Sequence, residues 1–165
     1  MNVVNILKEI SMNQGVKSKV VVLLFRLSTW YSVFKWPWKI FFFPFFILNK
    51  FLNEFLFCVE IPYSVDIGFG LKIFHAHSIV INKNAVLGKN CIIRQNVTIG
   101  NVTNKDGYES LSPTIGDNVE LGAHVAILGN IKIGDNCRIG AGSVVTKNIA
   151  NNVTVVSFGY RELVK

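Results

Sequence analysis

The sequence predicts an all-β solenoid preceded by a short helical segment rich in aromatic residues. Three observations support this fold class: a six-residue period in most of the chain, a glycine after many of the repeated aliphatic residues, and a change of composition near residue 58. The chain has 165 residues, a length that suits one compact domain with an appendage better than two full domains.

From about residue 59 onward, a branched aliphatic residue recurs every six positions. The series shifts phase once by two residues, between Ile79 and Ile81, and has a break at residues 101–113. The period predicts one short strand and one tight turn per repeat, three repeats per triangular coil, and aliphatic side chains that point inward. The repeated positions are Ile67, Ile73, Ile79, Ile81, Leu87, Ile93, Ile99, Ile115, Leu121, Ile127, Ile133, Ile139 and Val145.

The break at residues 101–113 is too polar to form a face of a coil. We therefore expect a loop extruded between coils of a domain that spans residues 59–165. A β-sandwich would need longer strands with two-residue alternation, and the sequence lacks this pattern.

Residues 1–58 form a separate basic and aromatic segment. They hold all three Trp, ten of the thirteen Phe, and seven Lys or Arg against two Glu. We expect a helix over 20–34, and the apolar run at residues 40–48 contains Pro44. No run reaches the roughly 18–20 apolar residues of a spanning helix. The segment either lies in a membrane interface or packs its aromatic residues on protein.

Further features restrict the class of protein. Cys58, Cys91 and Cys137 are too few and too scattered for a disulfide framework or a metal site, so we expect free thiols. No cleavable signal peptide is evident, which predicts a cytoplasmic protein, peripheral on the inner membrane face if the first segment binds lipid. No nucleic-acid-binding motif accompanies the basic charge.

Several blocks carry a family likeness: residues 59–70 (VEIPYSVDIGFG), 75–81 (HAHSIVI), 92–100 (IIRQNVTIG) and 139–147 (IGAGSVVTK). Over residues 59–165 the chain resembles hexapeptide-repeat acyltransferases. The likeness is to serine acetyltransferases and the short O-acetyltransferases of bacterial capsule and exopolysaccharide pathways, including the colanic-acid type. The resemblance implies a left-handed parallel β-helix, acetyl-CoA as co-substrate, no metal, and a homotrimer with active sites between subunits.

The resemblance places His75 at the family's catalytic histidine and Glu60 at the acidic residue that orients it. A hydroxyl is a weak nucleophile, so a neutral imidazole must take its proton as it attacks the thioester, and a carboxylate fixes the imidazole tautomer. The pair lies 15 residues apart, close to one coil of about eighteen, so we expect neighbouring coils to bring them together. The alternatives are a surface-turn histidine and a solvated glutamate.

The resemblance also implies a site for acetyl-CoA. Ala123 and Ala141 fall where the pantetheine arm runs close to the backbone, and Thr146, Lys147 and Arg161 fall near the nucleotide phosphates, which attract cations.

His77 has no role in the family that transfers to this chain, and we expect a structural role for it. For His124 we expect a role in a turn or a subunit contact, with catalysis as the alternative.

One departure concerns the acceptor. Ser112 stands where serine acetyltransferases carry a second histidine, just before Pro113. This favours O-acetylation of a bacterial surface-glycan precursor or polysaccharide. Serine O-acetylation, another acceptor, and a non-catalytic binding or scaffold protein remain as alternatives.

Overall fold

The structure, a computed structural model, describes residues 2–157. Helices occupy the first third: α1 (Val3–Met12), α2 (Val16–Val33), α3 (Trp38–Leu48) and a π-helix (Asn49–Leu56). Short strands follow: β1 (Val59–Glu60), β2 (Asp66–Ile67), β3 (Lys72–Ile73), β4 (Ile79–Ile81), β5 (Val86–Leu87), β6 (Ile92–Ile93), β7 (Thr98–Gly100), β8 (Thr114–Ile115), β9 (Glu120–Leu121), β10 (Ala126–Leu128), β11 (Lys132–Ile133), β12 (Arg138–Ile139), β13 (Val144–Val145) and β14 (Thr154–Val155).

The strands form three parallel sheets, which are the faces of a triangular β-helix. Sheet A has the order β1-β4-β7-β10-β13, sheet B β11-β8-β5-β2, and sheet C β14-β12-β9-β6-β3. All thirteen repeated aliphatic positions are buried and stack in one core. The predicted solenoid and its inward-facing residues are therefore confirmed.

Strands continue beyond the last predicted repeat. Ile149 forms a parallel bridge with Ile133, and β14 pairs with β12. The sequence series ends at Val145 because Ile149 follows it by four residues and not by six, although Val155 then follows Ile149 by six. The final coil is therefore visible only in the structure.

The corner between sheets B and C is built from a ladder of asparagines. Asn90, Asn118, Asn136 and Asn152 all have left-handed φ, between 56° and 63°. Each amide donates to the oxygen of the next, with Nδ2–Oδ1 distances of 3.0–3.1 Å. Asparagine tolerates this backbone conformation, so its side chain joins successive coils at no steric cost.

A column of glycines lies just before the same corner. A Cβ atom added to Gly88 would lie 2.6 Å from the carbonyl carbon and oxygen of Gly116, and Gly68 has the same relation to Gly88 at 2.7 Å. These glycines are required by the close approach of successive coils.

The first two helices cover the open end of the β-helix. Arg26 forms a buried ion pair with Glu9, with two N–O distances of 2.7 Å. Arg26 also donates to the carbonyls of Ile67 and Gly68, and Glu9 accepts from the amides of Gly70 and Leu71. Asn13 donates to the carbonyl of Leu71 and accepts from the amide of Ile73. These side chains replace the backbone partners of a preceding coil.

Residues 101–113 leave the coil between β7 and β8 as a small hairpin. Thr103 and Glu109 form an antiparallel bridge, and a turn closes where the amide of Gly107 donates to the carbonyl of Asn104. The tip is exposed, with Tyr108 73% exposed.

None of the helices within residues 2–157 combines the length and the apolar character needed to cross a membrane.

Candidate functional site

His75 lies on an enlarged corner between sheets C and A. The first and second coils are in register at Ile73 and Ile93, and again at Ile81 and Ile99. The corner of the first coil therefore contains two residues more than the corner beneath it, which is the structural origin of the phase shift. His75 has φ 54° and Ser78 φ 49°, and both His75 and His77 are exposed. The insertion presents His75 to solvent outside the regular repeat.

A groove of about 400 Å³ lies beside this histidine and is named here the His75 groove. One wall is formed by Gln14, in the turn between α1 and α2, and by Lys17, in the first turn of α2. The other wall is formed by Phe74, His75 and Ala76. The helical segment thus forms one wall of the groove.

His77 lies on the other side of the same corner. Its Nδ1 lies 3.3 Å from the carbonyl of Phe57, so it contacts the chain that leads into β1. This contact suits a structural role.

Glu60 lies on sheet A beside Val80 and is exposed. It lines a different groove of about 450 Å³, the Glu60 groove, with Pro62, Asn82, Lys83 and Asn101 among its residues. Within the described part of one chain, Glu60 and His75 share no hydrogen bond or ion pair. Glu60 begins the first coil and His75 lies on the corner that ends it, so the two candidate catalytic residues line different grooves of one protomer.

The π-helix brings a second carboxylate close to Glu60. Partial burial of Glu54 raises the pKa of its carboxyl; Lys50 lowers that pKa and the nearby charge of Glu60 raises it. The Lys50 Nζ lies 3.8 Å from Glu54 Oε2. Glu54 was not a candidate from sequence, because only folding brings the π-helix against β1.

A polar network joins the Glu60 groove to the extruded loop. Asn82 donates to Asn101 (3.1 Å) and accepts from Ser112 Oγ (3.1 Å), and Asn101 donates to Glu109 (2.9 Å). Ser112, at the position of the absent histidine, thus holds the base of the loop. The amides and hydroxyls here can donate and accept, as recognition of sugar hydroxyls requires.

Ala123 and Ala141 lie together in a third groove of about 340 Å³, the alanine groove. Arg94, Glu120 and Arg138 also line it. The Arg94 Nη2 donates to Glu120 Oε1 at 2.9 Å, and Arg138 is exposed beside them. The cations Arg94 and Arg138 were missed from sequence, although Arg94 directly follows the inward Ile93 and Arg138 directly precedes the inward Ile139, so both side chains had to point outward.

The alanine groove is connected to the histidine corner through Arg94. The Arg94 guanidinium lies 5.2 Å from the Phe74 ring centroid, and Phe74 borders the His75 groove. The corners between sheets C and A, which carry Ala141, Ala123, Gln95 and His75, stack on one another along the β-helix. They are called here the corner column. Gln95 Oε1 is buried there without a hydrogen-bond partner among the described residues.

The other candidate residues for acetyl-CoA are not part of this groove. Thr146 and Lys147 are exposed on the corner after β13, outside the alanine groove. Arg161 lies outside the described residues.

His124 belongs to the same corner column as Asn96. It is exposed with φ 60°, and its ring Nε2 lies 3.1 Å from the Asn96 amide nitrogen.

The cysteines are free thiols. Cys91 and Cys137 are buried, and burial raises the pKa of Cys91 to about 11, whereas Cys58 is exposed. Within the described residues, no group of three or more His, Cys, Asp or Glu is placed to hold a metal ion.

Comparison with known proteins assigns this β-helix to a family of group-transfer enzymes. The family "Bacterial transferase hexapeptide (six repeats)" matches residues 112–147. The chain is 39% identical over 114 residues to "Putative colanic acid biosynthesis acetyltransferase WcaB" of Escherichia coli (strain K12), covering 68% of each chain. The protein belongs to the hexapeptide-repeat acyltransferases, whose left-handed β-helix it shares.

Solved structures show the same relationship. A Neisseria gonorrhoeae serine acetyltransferase in complex with serine has 33% identity and a TM-score of 0.66, covering 88% of this chain and 56% of that one. A serine acetyltransferase in complex with CoA has 26% identity and a TM-score of 0.67, covering 85% and 54%. The chain thus spans about half the length of these serine acetyltransferases.

Proposed function

We propose that the protein is an acetyl-CoA-dependent O-acetyltransferase that acetylates a hydroxyl of a bacterial surface-glycan precursor or polysaccharide. The observation that carries the proposal is the corner column, which links the small-residue groove at Ala123 and Ala141 to the exposed His75. The naming of a relative for colanic acid biosynthesis supports the glycan acceptor.

The alanine groove has the features needed to hold acetyl-CoA. Two alanines leave room for a narrow pantetheine chain against the backbone, and Arg94 and Arg138 offer cations to phosphate groups. The stacking of Arg94 on Phe74 leads from this groove to His75. A serine acetyltransferase of the same fold that binds CoA supports this assignment.

In the proposed reaction, His75 accepts the proton of the acceptor hydroxyl while the oxygen attacks the thioester carbon. The carbon–oxygen bond forms, the carbon–sulfur bond breaks, and the CoA sulfur leaves with the proton that His75 returns. Glu60 holds the imidazole in the required tautomer if the two residues meet across a subunit contact. Backbone amides of the corner stabilise the developing oxyanion.

Serine O-acetylation is the second candidate, because the solved relatives are serine acetyltransferases. Against it, Ser112 is bound to Asn82 at the base of the extruded loop, and the loop carries no histidine. The Glu60 groove instead offers Asn82, Asn101 and Thr98, groups that pair with sugar hydroxyls.

The test compares His75→Asn with His124→Asn. Both histidines are exposed and have left-handed φ, 54° and 60°, and asparagine suits that conformation, so the two variants are matched structurally. Release of CoA from acetyl-CoA is measured with L-serine, with lipid-linked glycan precursor and with isolated polysaccharide. We expect His75→Asn to lower glycan-dependent kcat by about 10²–10⁴-fold, and His124→Asn to retain most of it.

The outcomes separate the candidates. Serine-dependent release that needs His75 would replace the glycan by serine. Equal turnover by both variants would remove His75 from the mechanism. A wild-type protein whose Tm does not respond to CoA and that releases none would favour a binding or scaffold protein.

A further inference from the structure

The helical segment contains two parts with different roles. Residues 3–26 cover the open end of the β-helix through Glu9, Asn13 and Arg26, which are all buried. Their apolar partners, such as Phe25, belong to the β-helix core. The exposed apolar side chains of this part, Val3, Val4, Leu7 and Val16, are aliphatic, and its aromatic residue, Phe25, is buried.

The second part, α3 with the π-helix, has a buried inner side and an exposed apolar outer side. The inner side, with Phe42, Asn49 and Asn53, is buried, and Phe42 packs on Trp30 of α2. The outer side carries Trp38 (63% exposed), Phe41 (65%), Ile47 (46%), Phe51 (58%) and Phe55 (78%). A surface helix of a globular protein ordinarily has polar residues on this side.

These outer residues, together with the exposed Trp36 of the preceding turn, are called here the aromatic face. Phe41 and Leu48 are two turns apart in α3 and so share one side, and the Phe51 and Phe55 rings of the π-helix stack with centroids 5.8 Å apart. A continuous exposed apolar surface of this kind marks an interaction site.

Positive charge surrounds the aromatic face. Lys35, Lys39 and Lys50 are exposed within residues 33–56, where the only acidic residue in the sequence is Glu54, close to Lys50. A second copy of this chain would bring like charges together, whereas an anionic lipid surface is complementary. Helices that lie in the bilayer interface also combine Trp, Phe and Lys on one face.

We propose that the aromatic face docks on the surface of a bilayer that contains anionic lipids, with α3 and the π-helix lying in the interface plane. Phe41, Phe51 and Phe55 contact the acyl boundary, and Lys35, Lys39 and Lys50 contact lipid phosphates. This role belongs to residues 33–56 and not to the whole helical segment.

The docked position has a consequence for the acceptor, which rests on the proposed function. The π-helix packs against β1, and Glu54 is close enough to Glu60 for their charges to interact. Docking through the aromatic face therefore holds the Glu60 groove near the headgroup layer, where a lipid-linked acceptor is presented.

The test measures co-sedimentation of the full chain with vesicles of phosphatidylcholine alone and of phosphatidylcholine with phosphatidylglycerol. The variant Phe41→Ser/Phe55→Ser is compared with Tyr108→Ser/Leu111→Ser, whose side chains are similarly exposed (73% and 72%) but lie on the loop. A charge pair compares Lys39→Gln/Lys50→Gln with Lys105→Gln/Lys132→Gln. All of these side chains are exposed, and circular dichroism checks that each variant is folded.

We expect the wild-type chain to bind anionic vesicles and to bind them less at high salt. Phe41→Ser/Phe55→Ser and Lys39→Gln/Lys50→Gln should each lower vesicle partitioning by at least about tenfold, and the two control variants should change it little. Binding equal in all four variants, or none to either vesicle, would overturn the proposal. A smaller assembly by light scattering in Phe41→Ser/Phe55→Ser, with unchanged vesicle binding, would instead assign the face to a second copy.

The two proposals fail separately. CoA release with a water-soluble acceptor does not depend on vesicles, so loss of docking with intact turnover refutes only the membrane surface. Docking without turnover on any acceptor refutes only the proposed function.

Discussion

Glu9 and Arg26 show how a few buried polar residues end a stack of strands. A parallel β-helix leaves backbone donors and acceptors unpaired at its first coil, and burying such groups without partners is costly. Here one ion pair satisfies two carbonyls and two amides of residues 67–71 while it neutralises its own charges. Each buried charge is therefore stabilised both by the other charge and by the backbone groups of the first coil.

This dependence predicts a large cost for removing one partner. Arg26→Ala leaves Glu9 buried without its counter-ion and leaves the carbonyls of Ile67 and Gly68 unpaired. We expect a loss of about 3–5 kcal/mol in the free energy of unfolding, measured by urea denaturation. Lys19→Ala, at an exposed position of the same helix, should change it by less than about 0.5 kcal/mol. A loss below about 1 kcal/mol in Arg26→Ala would show that the end of the β-helix does not need this cover.

At the scale of the element, the corners determine how coils stack. The corner between sheets B and C needs a residue with left-handed φ that also reaches the next coil, and asparagine meets both needs. The corner between sheets C and A is more varied, with Ser78, Asn96, His124 and Gly142 at equivalent left-handed positions. The variable corner carries the candidate site, whereas the uniform corner is structural.

The asparagine ladder gives a prediction that separates backbone strain from hydrogen bonding. Asn118→Ala loses two side-chain hydrogen bonds and places a Cβ residue without local compensation at φ 56°. Asn118→Gly loses the same bonds but removes the strain. We expect the alanine variant to be less stable than the glycine variant by about 1 kcal/mol. Thermal unfolding of both proteins measures this difference; an alanine variant as stable as the glycine variant would show that the corner is not strained.

For the whole molecule, the sequence predicts the regular part well because the six-residue period reports inward positions directly. The thirteen repeated aliphatic residues, from Ile67 to Val145, are buried as expected. The phase shift at Ile79–Ile81 marks the enlarged corner. The cover over the first coil was not predictable, since Glu9 and Arg26 meet residues about sixty and forty positions away along the chain. The separation of the Glu60 and His75 grooves could not be predicted from a spacing of 15 residues, because the enlarged corner lengthens the first coil to twenty residues, so that Glu60 pairs with Val80 and His75 lies on the corner before it.

That separation leads to a prediction about assembly. Because Glu60 and His75 line different grooves of one chain, we predict that they pair between subunits, with Glu60 of one protomer meeting His75 of its neighbour in a closed ring. Glu60→Ala and His75→Ala would then each be inactive alone. After the two are unfolded together and refolded, random mixing in a trimer would leave about one quarter of the sites with both residues intact.

We therefore expect the refolded mixture to recover about a quarter of the wild-type rate of CoA release, relative to wild type treated in the same way. The two variants refolded separately and then combined are the control, which measures exchange of subunits between folded assemblies. No recovery in the refolded mixture would place the two residues in one site of a single protomer, or remove Glu60 from the mechanism. Full activity of Glu60→Ala alone, with His75→Ala inactive, would favour the second explanation and would leave the imidazole oriented by the backbone of its own enlarged corner.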